Sequence, residues 1–236
     1  VRPSPEDIAY LLDATNTFFG TNIEPGDLTG AYAGVRPLIS SGDSRKSVDI
    51  SRKAELYETS SGLITITGGK LTTWRRMAKL AVDRLVERDG RDAPCRTEEI
   101  PLGLPVDSRR LPRVDGLPEE TYEALAGRYG HAAEHVLEIA AGDPQLAQQI
   151  VPGLPDLLAE ATLAARHELA RSVGDVLLRR TRLALLAGPT LAAPEAEGPL
   201  RVARALGSEL GWNKRRIESE VEAFAQEAKA EGIGAQ

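Results

Sequence analysis

The chain has 236 residues, of which 42% are hydrophobic and 4% aromatic, and its formal net charge is −6 at pH 7. This length allows one large domain or two small ones, and no apolar run is long enough to span a bilayer. The mildly acidic charge and the few aromatic residues argue against a nucleic-acid-binding protein, and Cys95, the single cysteine, excludes an internal disulfide.

The first predicted helix begins at Ser4, because serine is a good N-cap, Pro5 suits the first helical position and acidic residues follow. Gly20 is the predicted C-cap. The helix carries an apolar stripe that we expect to be buried: Ile8, Leu11, Leu12, Thr15, Phe18 and Phe19. Residues 28–39 are then predicted to be extended. Within them, Arg36 is held extended by the following proline, so it is either an exposed edge-strand residue or a positioned functional cation.

A strand, a glycine turn and a helix then follow one another. Leu63–Thr67 is a β-branched run that predicts a short buried strand, and a helical period begins after Lys70. Gly68 and Gly69 have no Cβ, so the chain can turn sharply there and a ligand can approach the backbone. The free N–H groups at a helix start favour an anion or an electron-rich ring, and Lys70 adds a full charge. The alternative is a turn whose glycines serve packing alone.

The helix after Lys70 is amphipathic. Its predicted apolar face contains Trp74, Met77, Ala78, Ala81, Val82 and Leu85, and its polar face contains Arg75, Arg76, Lys79, Asp83 and Arg84. One long helix and a few short strands cannot cover both faces of a sheet, so residues 1–92 need more chain to complete a domain. Because the chain begins with Val1, we expect a processed chain or a piece of a longer one.

Glycine, proline, aspartate and arginine crowd residues 89–106, which predicts a linker at 93–106. Residues 107–236 are rich in Ala, Leu, Glu and Arg with a helical period, and short connections predict antiparallel packing in a bundle. Five helices are predicted, at 118–140, 155–169, 172–186, 199–211 and 213–230. Gly127 and Gly130 weaken the first of them. The sequence therefore predicts a mostly α fold, with an α+β N-terminal part at 1–92 followed by an all-α C-terminal domain.

Other sequence patterns are weaker indications of a functional site. His131, Glu134 and His135 match the H-x-x-E-H zinc pattern, but no third ligand is evident, so no metal is predicted. The run Arg179–Arg182 is either a basic patch or a helix flank that forms ion pairs with a neighbouring helix. Nothing near Cys95 in the sequence activates its thiol. A complete G-x-G-x-x-G fingerprint and a Ser/His/Asp triad are both absent from the sequence.

Several segments together resemble one family of enzymes. The blocks are Ala33-Gly34-Val35-Arg36-Pro37-Leu38, Ile50-Ser51-Arg52 and Gly68-Gly69-Lys70-Leu71-Thr72-Thr73 with Trp74-Arg75. In this order they resemble the C-terminal part of FAD-dependent glycerol-3-phosphate dehydrogenase. The helical half is similar to the same family through Arg128-Tyr129-Gly130 and Asp175-Val176-Leu177, so the resemblance covers nearly the whole chain.

The resemblance implies that the chain is the C-terminal portion of a flavoenzyme, with a remnant of the FAD-binding and substrate domain at 1–92. Such an enzyme oxidises sn-glycerol 3-phosphate to dihydroxyacetone phosphate and passes electrons through FAD to a quinone. The implied partners are this substrate, the quinone and the missing N-terminal half of the same protein, and we also expect a homo-oligomer. The implied location is the cytoplasm, with peripheral attachment to the inner face of the cell membrane. The chain alone is expected to be inactive.

The resemblance also implies roles for individual residues. Lys70 and Arg36 are the implied catalytic residues, and both would contact the substrate, with Arg52 as a candidate for its phosphate. Backbone amides near the pyrimidine edge of the flavin are implied at Gly68, Gly69, Lys70, Leu71 and Thr72. No residue is assigned as the general base, because this chain has Lys53-Ala54 where many relatives carry a histidine or another polar residue.

Two alternatives remain open on the same residues. One is a helical interaction or oligomerisation module without catalytic activity, to which residues 1–92 form a partly ordered appendage. The other is a glycerol-3-phosphate oxidase relative that passes electrons to oxygen. Its site residues would be the same, so the sequence does not distinguish it from a dehydrogenase.

Overall fold

The computed structural model describes residues 3–31, 33–34, 53–103 and 105–234. Contacts divide the chain into a helical unit, residues 1–34 with 104–236, and a second unit, residues 35–103. The chain is mostly helical with a two-stranded sheet, which confirms the predicted predominance of α-structure. The predicted domain bounds and the linker between them stay a prediction. Within the described ranges, no helix combines the length and the apolar character needed to cross a bilayer.

The helices and strands follow in chain order: α1 (Pro5–Phe19), β1 (Ala54–Glu58), β2 (Ile64–Gly68), α2 (Trp74–Arg88), α3 (Glu119–Tyr129), α4 (Ala133–Gly142), α5 (Leu158–His167), α6 (Leu183–Leu186), α7 (Gly188–Leu191), α8 (Glu197–Leu210) and α9 (Lys214–Ala230). Both strands and α2 belong to the second unit, and the other helices belong to the helical unit. The helices predicted at 155–169, 199–211 and 213–230 correspond to α5, α8 and α9.

Helix α5 lies at the centre of the helical unit. Every residue of Leu158–Ala165 is buried, because these mostly small or apolar side chains allow packing on all sides. One cluster of buried side chains includes Leu158, Leu177 and Leu206, and a second includes Leu125 and Leu163. Helix α5 contributes to both clusters, and full burial of each leucine contributes about 1.5–3 kcal/mol.

A buried ionic cluster joins α3 to the start of α5. The guanidinium of Arg128 contacts Asp156 (Nη2–Oδ1 2.7 Å) and also pairs with Glu160. Tyr129 donates a hydrogen bond to one oxygen of Glu160 (2.8 Å), and the Leu157 N–H donates to the other (2.8 Å). Burial raises the pKa of Glu160, and the Asp156 charge adds to this shift while Arg128 opposes it. The two carboxylates therefore depend on Arg128 for compensation of their charge.

Two predicted helices are interrupted. Gly130 has a φ of 55° and divides the helix predicted at 118–140 into α3 and α4, which confirms the predicted weak point. The single helix predicted at 172–186 is wrong. A π-helical turn covers Asp175–Arg180, and Arg182 has a φ of 61° before the short α6 begins. After the π turn, a hydrogen bond from a side chain to the backbone competes with the regular helix, and apolar periodicity does not reveal such bonds.

Helix α1 has the predicted caps, but its apolar stripe is not buried. The Ser4 hydroxyl accepts a hydrogen bond from the Asp7 N–H (3.1 Å), and Gly20 has a φ of 66°. The prediction of a buried stripe is wrong for this chain, since no residue of α1 is buried and Phe18 and Phe19 are 83% and 70% exposed. Amphipathic spacing shows which face can be buried, but burial needs a partner surface, and the described residues cover this stripe only in part, at half-buried Ile8, Leu12 and Thr15.

The described part of the second unit is a β-hairpin with one helix. Strands β1 and β2 pair antiparallel, with Leu56 opposite Ile66, and the Thr59 N–H closes the turn on the Leu63 carbonyl (3.0 Å). Helix α2 packs against both strands. No residue of these three elements is buried, so the described part of this unit lacks a hydrophobic core of its own.

Candidate functional site

The turn between β2 and α2 is built around two glycines with positive φ. Gly68 and Gly69 have φ values of 73° and 74°, a left-handed conformation that residues with a Cβ rarely adopt. A Cβ on Gly69 would also lie 2.3 Å from the sulfur of Met77 on α2. The Gly69 N–H donates to the Lys53 carbonyl (3.2 Å), which ties the turn to the start of β1. Backbone conformation and packing therefore account for these glycines without a ligand, and a ligand remains compatible with them.

The start of α2 presents unpaired backbone donors. Lys70 precedes a 3₁₀ turn, Leu71–Thr73, which leads directly into α2. The Thr73 hydroxyl accepts from the Lys70 N–H (3.1 Å) and donates to the Lys70 carbonyl (3.0 Å), which fixes the lysine backbone. The N–H groups of Leu71 and Thr72 donate no hydrogen bond to any described residue. Such donors at the positive end of a helix suit an anion or an electron-rich atom.

A hollow of about 620 Å³ lies beside this turn, within the second unit. Its lining residues are Lys53, Ala54, Lys70, Thr73, Arg76, Met77 and Leu80. Four of them, from Thr73 to Leu80, stand at i, i+3, i+4 and i+7, which is the spacing of one helix face. Three lining residues are cations and none is acidic, so the potential in this cationic hollow favours an anion.

Lys70 and Arg76 differ from their basic neighbours on α2 because their side chains have no partner among the described residues. The neighbours' partners are Thr97 for Arg75, Asp83 for Lys79, Glu58 and Glu87 for Arg84, and Gly62 for Arg88. Each of these contacts pairs a basic side chain of α2 with a residue of the second unit. The two unpartnered cations both line the cationic hollow and keep their full hydrogen-bonding capacity for a ligand.

The structure brings five predicted site residues together at one turn: Gly68, Gly69, Lys70, Leu71 and Thr72. The other two predicted residues, Arg36 and Arg52, lie outside the described residues. Their approach to Lys70 therefore stays a prediction.

The hollow also contains two cations that are absent from the sequence prediction. Arg76 stands six residues after Lys70, which is not a same-face spacing in an α-helix, so helical spacing did not indicate that the two cations share a hollow. Lys53 carries no signal of its position in the sequence either. The hairpin register, which places Ala54 opposite Gly68, brings the start of β1 to the glycine turn.

The other candidate patterns have structural roles in the described residues. Arg179 forms an ion pair with Glu227 of α9 (2.7 Å), which confirms the interpretation as a helix flank that pairs with a neighbouring helix. His135 stacks against His167, with ring centroids 6.2 Å apart. No group of three His, Cys, Asp or Glu side chains in the described ranges could hold a metal ion.

The thiol of Cys95 is more acidic than the sequence suggested. The Thr97 hydroxyl lies 3.2 Å from Sγ, and hydrogen bonding by this residue lowers the pKa of Cys95. The prediction that nothing nearby activates the thiol is therefore wrong, because the loop conformation, rather than sequence composition, supplies the hydrogen bond.

Comparison with known proteins adds an independent finding. The sequence profile described as the C-terminal domain of alpha-glycerophosphate oxidase matches residues 63–217. Glycerol-3-phosphate dehydrogenase 1 of Mycobacterium tuberculosis is 39% identical over 191 residues, which cover 78% of this chain and 36% of the relative. Glycerol-3-phosphate dehydrogenase 2 of the same organism is 33% identical over 240 residues, which cover 95% of this chain and 39% of the relative.

A relative from another organism provides a similar match. The mitochondrial glycerol-3-phosphate dehydrogenase of Mesocricetus auratus is 34% identical over 232 residues, which cover 93% of this chain and 31% of the relative. The chain thus spans 31–39% of the length of these three relatives. The resemblance inferred from the sequence motifs is confirmed, and the chain belongs to the family of the C-terminal domain of alpha-glycerophosphate oxidase.

Proposed function

We propose that this chain forms the C-terminal part of an FAD-dependent enzyme that oxidises sn-glycerol 3-phosphate to dihydroxyacetone phosphate. The names of its relatives suggest this substrate. The observation that carries the proposal is the cationic hollow beside the glycine turn, where Lys70 and Arg76 have no partner among the described residues. A phosphate monoester is a ligand whose charge such a hollow would neutralise. In this proposal residues 1–92 belong with the FAD-binding and substrate domain, and residues 107–236 form the helical domain.

The residues of the turn fit a flavin. Gly68 and Gly69 have no side chain to keep a ring away from the backbone, and the N–H groups of Leu71 and Thr72 are available as donors. The pyrimidine edge of the flavin would lie against these amides, where the helix start stabilises negative charge. Bound FAD would supply the acceptor for the hydride that the substrate loses.

Lys70 is the proposed catalytic cation. Its ammonium has no partner in the described part of the chain, so it is free to contact both the flavin edge and a substrate oxygen. Arg36 is the second proposed catalytic residue, and together with Arg52 it would bind the substrate. Lys53 and Arg76 line the hollow and would add positive charge around the phosphate.

Lys70→Ala in the intact enzyme tests this role. Removing one preorganised group from a site of developing negative charge costs about 10²–10³ in kcat, so we expect a loss of about that size in kcat/KM. Flavin content and the far-UV spectrum should stay unchanged. Lys79→Ala is the matched control, because Lys79 lies on α2 and already pairs with Asp83. Unchanged turnover of Lys70→Ala at saturating substrate would contradict the proposed role.

A complementation experiment tests the assignment to a larger flavoenzyme. The chain alone should be folded, colourless and inactive. Mixed with a flavin-loaded N-terminal half of the same enzyme, it should restore dye-linked oxidation of glycerol 3-phosphate. A folded chain that binds the N-terminal half without restoring activity would favour a helical interaction module instead.

The proposed electron acceptor is a quinone, since the relatives are named dehydrogenases. The family profile is named after an oxidase, which makes oxygen the second candidate. Hydrogen peroxide formed in proportion to the substrate consumed would identify oxygen, whereas reduction of a soluble quinone without peroxide would support the first candidate. A quinone acceptor would place the enzyme in the cytoplasm at the inner face of the cell membrane. Homo-oligomer formation through the helical domain is part of the same proposal.

A further inference from the structure

The helical unit carries an apolar groove of about 650 Å³ that is separate from the residues of the proposed redox site. It lies between the start of α8, the loop that precedes α8 and the middle of α9. Leu191 and Phe224 form its buried floor, while Leu200 and Val221 are half-buried and reach the surface. The groove therefore offers apolar side chains that water still contacts.

Four glutamates and no cation line this groove. Glu195 lies in the loop before α8, and Glu197 is the first residue of α8. Glu218 and Glu222 stand on the α9 side, one helical turn apart. Of these four glutamates, only Glu218 has an ion-pair partner in the described part of the chain, Lys214 at 3.9 Å, and this pair is exposed and therefore weak. The acidic groove, defined by these four glutamates, thus combines an apolar floor with carboxylates on both sides.

The backbone of the acidic groove is strained at one point and tightly packed at another. Glu195 has a φ of 65°, a conformation that costs a residue with a Cβ about 1–2 kcal/mol. A glycine would adopt it without that cost, yet an acidic side chain occupies the position. A Cβ on Gly198 would lie 2.6 Å from Cδ2 of Leu191, so α8 begins in close contact with the groove floor. Strain of this kind is often found at functional sites.

We propose that the acidic groove binds a basic amphipathic helix of a partner protein. The apolar face of that helix would cover Leu200 and Val221, and lysines or arginines on its two flanks would pair with the two glutamates on each side. Four carboxylates would repel an anionic lipid surface or a nucleic acid, so charge complementarity selects a basic partner. This docking function does not depend on the proposed redox function.

The test uses a fluorescein-labelled amphipathic helical peptide of leucine and lysine. A peptide of the same pattern with glutamate in place of lysine is its counterpart. Fluorescence anisotropy with the complete 236-residue chain should show binding of the basic peptide alone, with an affinity that falls as salt increases. Binding of both peptides with equal affinity would overturn the proposal, since a purely apolar surface would then be responsible.

Charge reversal locates the binding site. Glu218→Lys combined with Glu222→Lys should weaken binding of the basic peptide by about tenfold, because two attractions become repulsions. Glu134→Lys combined with Glu138→Lys is the matched control, since these exposed glutamates also lie one turn apart, on α4 and outside the groove. The control should change affinity by less than about twofold. Equal weakening by both pairs would show general charge attraction and overturn the proposal.

Ala225→Gln separates docking in the groove from attraction to its charges. Ala225 is exposed and lines the groove, and glutamine is a good helix former without charge, so the fold and the net charge are kept. The longer side chain would fill the groove, and we expect about tenfold weaker binding. Unchanged affinity would overturn the proposal. Concentration-dependent dimerisation that this substitution abolishes would overturn it too, because a second copy would then be the occupant.

Discussion

The buried ionic cluster of the helical unit is the most direct place to test how this fold is held together. In Arg128→Ala, the carboxylates of Asp156 and Glu160, which are 2% and 1% exposed, lose the guanidinium that they share. Removing one partner from a buried pair costs about 3–5 kcal/mol of unfolding free energy, because the remaining charge stays in a poorly solvated site. Arg109→Ala provides the comparison: Arg109 contacts Asp107 at 2.9 Å with its side chain 80% exposed, so a much smaller loss of unfolding free energy is expected.

The loss of stability in Arg128→Ala should depend on pH in one direction. Burial raises the pKa of Glu160, so the folded state holds this proton more tightly than the unfolded state does. The stability that this carboxyl contributes is therefore present at acid pH and is lost as the pH rises through the raised pKa. Removal of Arg128 takes away the positive charge that opposes this rise in the pKa of Glu160. The difference in unfolding free energy between Arg128→Ala and the unsubstituted protein should be larger at about pH 7 than at about pH 5.

Urea unfolding followed by far-UV circular dichroism at both pH values measures these differences, with the m-value as a check on the unfolding transition. Arg128→Ala combined with Glu160→Gln should recover part of the loss, because the uncharged amide can still accept from the Leu157 N–H through its oxygen and donate to the Tyr129 hydroxyl through its NH2. Residues in one buried network commonly deviate from additivity by about 0.5–3 kcal/mol. A loss no larger than that of Arg109→Ala, or one that grows toward acid pH, would refute the reasoning.

Substitution by alanine should change stability in opposite directions at two glycines that have different backbone conformations. Gly69 has a φ of 74°, and the Cβ of Gly69→Ala would lie 2.3 Å from the Met77 sulfur. The free energy of opening of the hairpin, measured by amide exchange, should therefore fall by at least about 1 kcal/mol. Gly127→Ala in α3, where a Cβ meets nothing within 4 Å, should raise the unfolding free energy by about 1 kcal/mol in urea titration, and any loss would contradict the account of α3. Asn213→Ala removes the N-cap that accepts from the Arg216 N–H (2.9 Å) and should cost about 1 kcal/mol in the same titration, whereas Asn213→Asp should not.

Local signals in the sequence predicted the ends and breaks of several helices well. Ser4 and Gly20 cap α1 as expected, and Gly130 separates α3 from α4. Each of these features depends on the conformational preference of one residue and on hydrogen bonds to close neighbours in the chain. Such preferences act whatever the rest of the molecule does.

The same local reasoning identified the turn of the candidate site but not its surroundings. The residues from Gly68 to Thr72 form the predicted turn at the start of α2. The cationic hollow beside it needs Lys53, which only the pairing of β1 with β2 brings there. The roles of Arg36 and Arg52 rest on the resemblance to a family and stay a proposal.

Taken by itself, the sequence determined the helical character of the chain, the caps of its helices and the glycine turn, because these follow from the preferences of neighbouring residues. Only the tertiary structure decided that the apolar stripe of α1 is not buried, that Arg128 compensates two buried carboxylates, and that four glutamates surround one apolar groove. These features join side chains that are distant along the chain or depend on the presence of a partner surface. Periodicity records which side of an element is apolar, whereas burial and charge compensation depend on what that side meets.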